Sequence, residues 1–112
     1  MKDIIKKIEL STEVAQKLIK HLYESDPNNI TFNQLGLLDG QDIVMDFIEA
    51  GEWGCALDHL LYMIHESDIP FPRETMFELH KIAELHNMGN HYSKANQKNL
   101  TSEQLAAIFN AP

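Results

Sequence analysis

The stretch FIEAGEWGCALDHLLYMIHESDIP, residues 47–70, decides the fold. On its upstream side Ile43, Val44, Phe47 and Ile48 share one face at helical spacing, which predicts a helix from about Asp39 to Ala50. Gly51 follows at the C′ position, where a left-handed residue is usual. Downstream, Trp53, Leu57, Leu60, Leu61 and Ile64 recur every three or four residues, so a second helix begins near Glu52. Asp68-Ile69-Pro70-Phe71-Pro72 ends it. Gly51, Trp53 and Gly54 are expected to form a structural corner, the glycines letting the chain turn while Trp53 plugs it.

Working outward, the same period persists. Ser11 is a plausible N-cap for a helix whose apolar stripe is Val14, Ala15, Leu18, Ile19, Leu22 and Tyr23, with Asp26-Pro27-Asn28-Asn29 as its stop. Ile4, Ile5 and Ile8 before it fit a helical face or a short strand. Residues 28–39 are turn-rich, with a possible turn at Asn33–Leu37. Pro72 suits the first position of a helix running to about Met88, its inner face drawn from Phe77 or Met76, Leu79, Ile82 and Leu85, with Gly89 as its stop. After a polar stretch at 90–99, Thr101 and Gln104 have capping-box spacing, and Leu100 can staple to Leu105. The expectation is an all-α fold, a single domain over residues 1–112 built as a bundle of four to six helices.

Bulk properties narrow the function. The chain has 112 residues, enough to bury one core without staples. At 44% apolar and 23% charged residues it is an ordinary globular composition. Apolar runs such as Leu60–Ile64 are far too short to span a bilayer, and no apolar segment of signal-peptide type follows the first lysines. Cys55, the single cysteine, admits no internal disulfide and suits a reducing compartment, so the cytoplasm is the expected location. The net charge of −8 disfavours nucleic acid, whose phosphates need clustered Lys and Arg.

The acids are unevenly placed. From His21 to Pro72 there is no Lys or Arg, against ten Asp and Glu. Asp39, Asp42, Asp46 and Glu49 fall within about a 90° arc opposite the apolar face of their helix. Like charges at this spacing each cost a few tenths of a kcal/mol. No base three or four residues away offsets that cost, which favours a partner surface over a merely solvated face. Asp58, Tyr62 and Glu66 project from the outer side of the next helix, Tyr62 as an exposed aromatic anchor among acids. Catalytic and metal motifs are lacking. The histidines at 21, 59, 65, 80, 86 and 91 are never four apart, and the glycines are too scattered for a phosphate loop. Cys55 reads as a buried structural thiol, and His80 with Glu84 as a surface pair. No enzyme activity, cofactor or metal is expected.

The run Ile48-Glu49-Ala50-Gly51-Glu52-Trp53-Gly54-Cys55-Ala56-Leu57-Asp58-His59-Leu60, with Asp68-Ile69-Pro70 after it, resembles the centre of the MafI-like family of bacterial immunity proteins. The resemblance covers about residues 40–88, and Pro72 departs from it where a Ser or Thr cap would stand. It implies an antidote to a polymorphic toxin of contact-dependent growth inhibition, often a ribonuclease of EndoU type, held at or beside the toxin's active site. On this reading Asp39, Asp42, Asp46, Glu49, Asp58, Tyr62 and Glu66 contact the toxin's basic surface, and segments 28–40 and 90–99 are further candidates. Two other readings compete: an acidic nucleic-acid mimic that binds a basic host protein, and a structural helical subunit.

Overall fold

The computed structural model describes residues 2–26, 28, 36–86 and 98–110. Five helices account for most of them: α1 (Lys2–Ser25), α2 (Gly40–Glu49), α3 (Trp53–Ser67), α4 (Arg73–Leu85) and α5 (Ser102–Phe109). Among the described residues there is no strand, only an isolated parallel bridge between Phe71 and Asn99. The all-α expectation holds. The radius of gyration is 13.5 Å, against about 13 Å for a compact chain of this length.

α3 is the central helix. Ala56, Leu57, Leu60, Leu61, Met63, Ile64 and Ser67 are all buried, a wider stripe than the sequence pattern suggests, because α1 and α2 both pack on it. Burying Leu57 and Leu60 completely contributes roughly 1.5–3 kcal/mol each. Ser67, at the far end of that stripe, returns its hydroxyl to the Met63 carbonyl at 2.6 Å, so its burial leaves no donor unmet. α3 stops where Asp68 takes a left-handed conformation (φ 54°). Ile69 and Phe71 then turn into the core.

α1 overturns one expectation. Ser11 is no N-cap: the helix runs unbroken through it from Lys2, and Ser11 and Thr12 are buried in its middle. The Thr12 hydroxyl bonds the Ile8 carbonyl at 2.6 Å, one turn back, which lets a polar side chain sit inside a helix without ending it. Ile8 is fully buried, so the N-terminal isoleucines continue the same apolar face and no strand forms.

α4 resolves an open choice. Met76 faces the core at 7% exposure, whereas Phe77 is 61% exposed. Leu85, expected inside, is 71% exposed. The inner face is instead completed by His80, which lies between Met76 and Ala83 on that face and is fully buried, not at the surface as expected. Pro72 caps α4 rather than opening it, and the helix ends at Leu85, so the expected limits at Met88 and Gly89 lie outside the described residues. Lys7 of α1 pairs with Glu78 of α4. α5 starts as expected: the Thr101 hydroxyl accepts from the Gln104 amide and the Gln104 side chain accepts from the Thr101 amide. Leu100, the other half of the expected staple, is buried, and Leu105 packs on the core.

Candidate interaction surface

The orientation of α2 is fixed at both ends. At its start the buried side chain of Gln16 donates from Nε2 to the Leu37 carbonyl (3.1 Å) and accepts at Oε1 from the Gln41 amide (2.7 Å). Gly40 lets the helix approach α3: a Cβ there would lie 2.5 Å from the Met63 side chain. At its end Gly51 has φ +78°, its amide donates to Ile48 and the Glu52 amide donates to Phe47, the paired bonds of a Schellman turn. Val44 is fully buried, while Ile43, Phe47 and Ile48 are half-buried. The rotation of α2 is therefore set, and with it the direction of the acids.

Asp39, Asp42, Asp46 and Glu49 are all exposed. Among the described residues their side chains make no hydrogen bond or ion pair. Asp39 occupies the N-cap position of α2 without capping it, so its carboxylate is left to solvent. Asp42, Asp46 and Glu49 form one stripe along the helix.

On α3 the picture differs. Asp58 is exposed, but Tyr62 and Glu66 are half-buried. The Tyr62 ring lies 5.3 Å from that of His59, tilted by 37°. His59 Nε2 is 3.0 Å from the Gly36 carbonyl oxygen, and Gly36 itself has φ +85°. Tyr62 and His59 thus cover the turn that leads into α2, and the expectation of a free aromatic anchor is corrected. Cys55 is exposed, not buried. It stands seven residues, two turns, before Tyr62, and so on the outer face of α3; the helical period itself carried this signal.

The corner is partly as expected. Gly51 provides the left-handed turn, and Trp53 packs against the core from a half-buried position with its ring edge-on to His86 (4.9 Å, 83°). Gly54 lies inside the first turn of α3 without a positive φ and does not make the bend. Gln16, Gly36 and His59, which hold the surface in place, were not singled out from the sequence: a lone Gln on an apolar face has no spacing signature. Of segments 28–40 and 90–99, only residues 28, 36–40 and 98–99 are described, and the rest lie outside.

Elsewhere, an open groove of about 550 Å³ runs between the starts of α4 and α5, lined by Arg73, Glu74, Thr75, Leu100 and Thr101 among others. Its lining holds no His or Cys. Among the described residues no three metal-ligating side chains come together, and no helix is long and apolar enough to cross a membrane. No protein-family model, curated protein or solved structure matches this chain.

Proposed function

We propose that the chain is a non-catalytic binding protein that neutralises a basic toxin domain, an immunity protein whose partner is a ribonuclease of EndoU type or a similar nuclease. The observation that carries this is the stripe Asp42–Asp46–Glu49, with Asp39 at its head: exposed, without ionic partners among the described residues, and held on a helix clamped at both ends. A nuclease needs a positive cleft to hold phosphates, and carboxylates presented on a rigid helix suit the same cleft. Charge complementarity would raise the encounter rate towards about 10⁸ M⁻¹s⁻¹ at low salt, leaving apolar contacts to set the lifetime. The resemblance of residues 40–88 to MafI-like proteins supplies the toxin class, and that reading places the protein in the cytoplasm.

The test combines the toxin domain encoded beside this protein with the purified chain, following RNA cleavage together with calorimetric binding. One-to-one inhibition with nanomolar affinity, lost on reversing Asp42, Asp46 and Glu49 to Lys, is the expected result. Undiminished cleavage with no heat of binding would end the proposal. A second reading, a nucleic-acid mimic acting on a basic host protein, draws on the same unpaired stripe. It differs in salt response, since binding by charge alone should collapse between 50 and 500 mM salt (roughly a threefold fall in screening length).

A further inference from the structure

We propose that His80 makes the docking of α4 pH-sensitive: the bundle accepts the imidazole in its neutral form, and proton uptake there releases α4 from α1 and α3. This concerns the core and does not rest on the toxin reading.

The composition of the core carries the inference. The polar side chains buried among the described residues are Ser11, Thr12, Gln16, Ser67 and His80, and of these His80 alone can take up a proton and become charged. It is 0% exposed. Its own helix surrounds it with Met76, Leu79 and Ala83. The two helices packed on α4 bury only uncharged side chains, those of α1 lying between Ile8 and Ile19 and those of α3 between Ala56 and Ser67.

Charged groups keep to the rim. Lys7 of α1 pairs with Glu78 at the edge of α4, and Lys81 and Glu84 are exposed on α4 itself. Glu9 of α1 and Glu66 of α3 are half-buried, and no carboxylate among the described residues is buried with the ring. Whatever contacts the neutral ring makes, protonation would put a net charge into this apolar layer, and burial disfavours the charged form.

Once α4 is released, its histidine meets water and takes up a proton near the ordinary value of about pH 6.5. The docked state resists that proton, so below this pH the released state binds more protons and gains on the docked one. From pH 7.5 to 5.5 the opening constant should rise about tenfold. Release, and not collapse of the whole bundle, follows from how the helices are joined. α1, α2 and α3 pack extensively on one another, whereas α4 makes thinner contacts with α1 and α3, supplemented by the Lys7–Glu78 pair.

Native-state hydrogen exchange on the full-length chain at pH 7.5 and 5.5, a window above the ordinary carboxylate range of about 4, tests this once intrinsic exchange rates are corrected for pH. Amides of α4 from Met76 to Leu85 should lose about tenfold in protection at the lower pH, while those of α3 from Leu57 to Ile64 keep theirs. His80→Leu should abolish the loss, with His80→Gln taking its place if the leucine protein does not fold. Ring nitrogen shifts of His80 in the wild-type protein supply a readout that needs no variant: they should report a neutral imidazole in the docked state at the lower pH. An imidazolium there with α4 still protected, unchanged or increased protection in acid, or the same loss in the variant would overturn the proposal. Equal loss in α3 and α4 would overturn the release of α4 in favour of global unfolding.

Discussion

Replacing Glu49 by Gln should make the protein more stable, and the sign follows from where the charge lies. Glu49 is the last residue of α2, at the negative end of the helix dipole. A carboxylate there costs about 0.3–1 kcal/mol. Asp46 lies three residues earlier on the same exposed stripe and adds about 0.2–0.5 kcal/mol of repulsion. No basic partner among the described residues offsets either term. Glu49→Gln keeps the side chain's size and removes both, for a gain of about 0.5–1.5 kcal/mol, or a rise in Tm of roughly 2–6 °C for a chain of this length. Asp42→Asn is the control. Asp42 lies in the first turn, where the dipole favours an acid, and this roughly cancels its repulsion with Asp46, so that substitution should move stability by less than about 0.5 kcal/mol. Thermal unfolding at 20 mM and 1 M salt reads the effect, which should shrink at high salt as screening tightens. A destabilised Glu49→Gln protein, or a gain unchanged by salt, would refute the reasoning, because the carboxylate would then have a structural partner. Stability gained as binding is lost would also indicate that the stripe is maintained for a partner.

Other consequences follow from the clamps and turns. Gln16→Leu strands the Gln41 amide beside an apolar side chain, at about 1–3 kcal/mol, and removes one of two bonds to the Leu37 carbonyl, at about 0.5–1.5 kcal/mol, the bond from the Gly40 amide (3.3 Å) remaining. Urea unfolding should place its midpoint at least 1 M below wild type, whereas a neutral effect would mean that water replaces the clamp. Gly36→Ala and Gly51→Ala both force alanine into positive φ, at roughly 1–2 kcal/mol. Only at Gly36 would the new Cβ also meet a neighbour, 2.7 Å from His59 Cε1, so Gly36→Ala should be the more damaging by about 1–2 kcal/mol in the same assay. Cys55 is exposed, so a disulfide reagent should titrate one thiol in the native protein at the rate of a small-molecule thiol; labelling that waits for unfolding would contradict its placement.

What could be read from the sequence depended on how local the determining force is. α2 was legible almost residue by residue, because a ten-residue helix with one buried side obeys a single period and its Gly51 stop is a backbone property. The capping box of α5 was legible for the same reason, since both partners lie within one turn. Apart from Cys55 and Gly54, the misreadings concern side chains whose burial is decided by another element. Ser11 carries a cap signature, but it and Thr12 are surrounded by the core, and Thr12 satisfies itself on the preceding turn. Leu85 and Phe77 are as apolar as Met76 and Leu79, yet only the latter pair is buried.

The acidic stripe occupies a middle position in this hierarchy. Its existence is local, a matter of which residues recur every turn, and the structure leaves it exposed as the period requires. Its direction is not local: it depends on Gln16, which reaches across twenty-five residues to the Gln41 amide, and on Gly40, whose missing side chain lets α2 rest on Met63. A surface built for binding needs that second layer, because carboxylates on a freely rotating helix would lose in ordering entropy what they gained in attraction. The clamp and the stripe are thus coupled. Loosening Gln16 should weaken partner binding without touching a single acid, and a Gln16→Leu protein that remains folded yet binds as tightly as wild type would separate them.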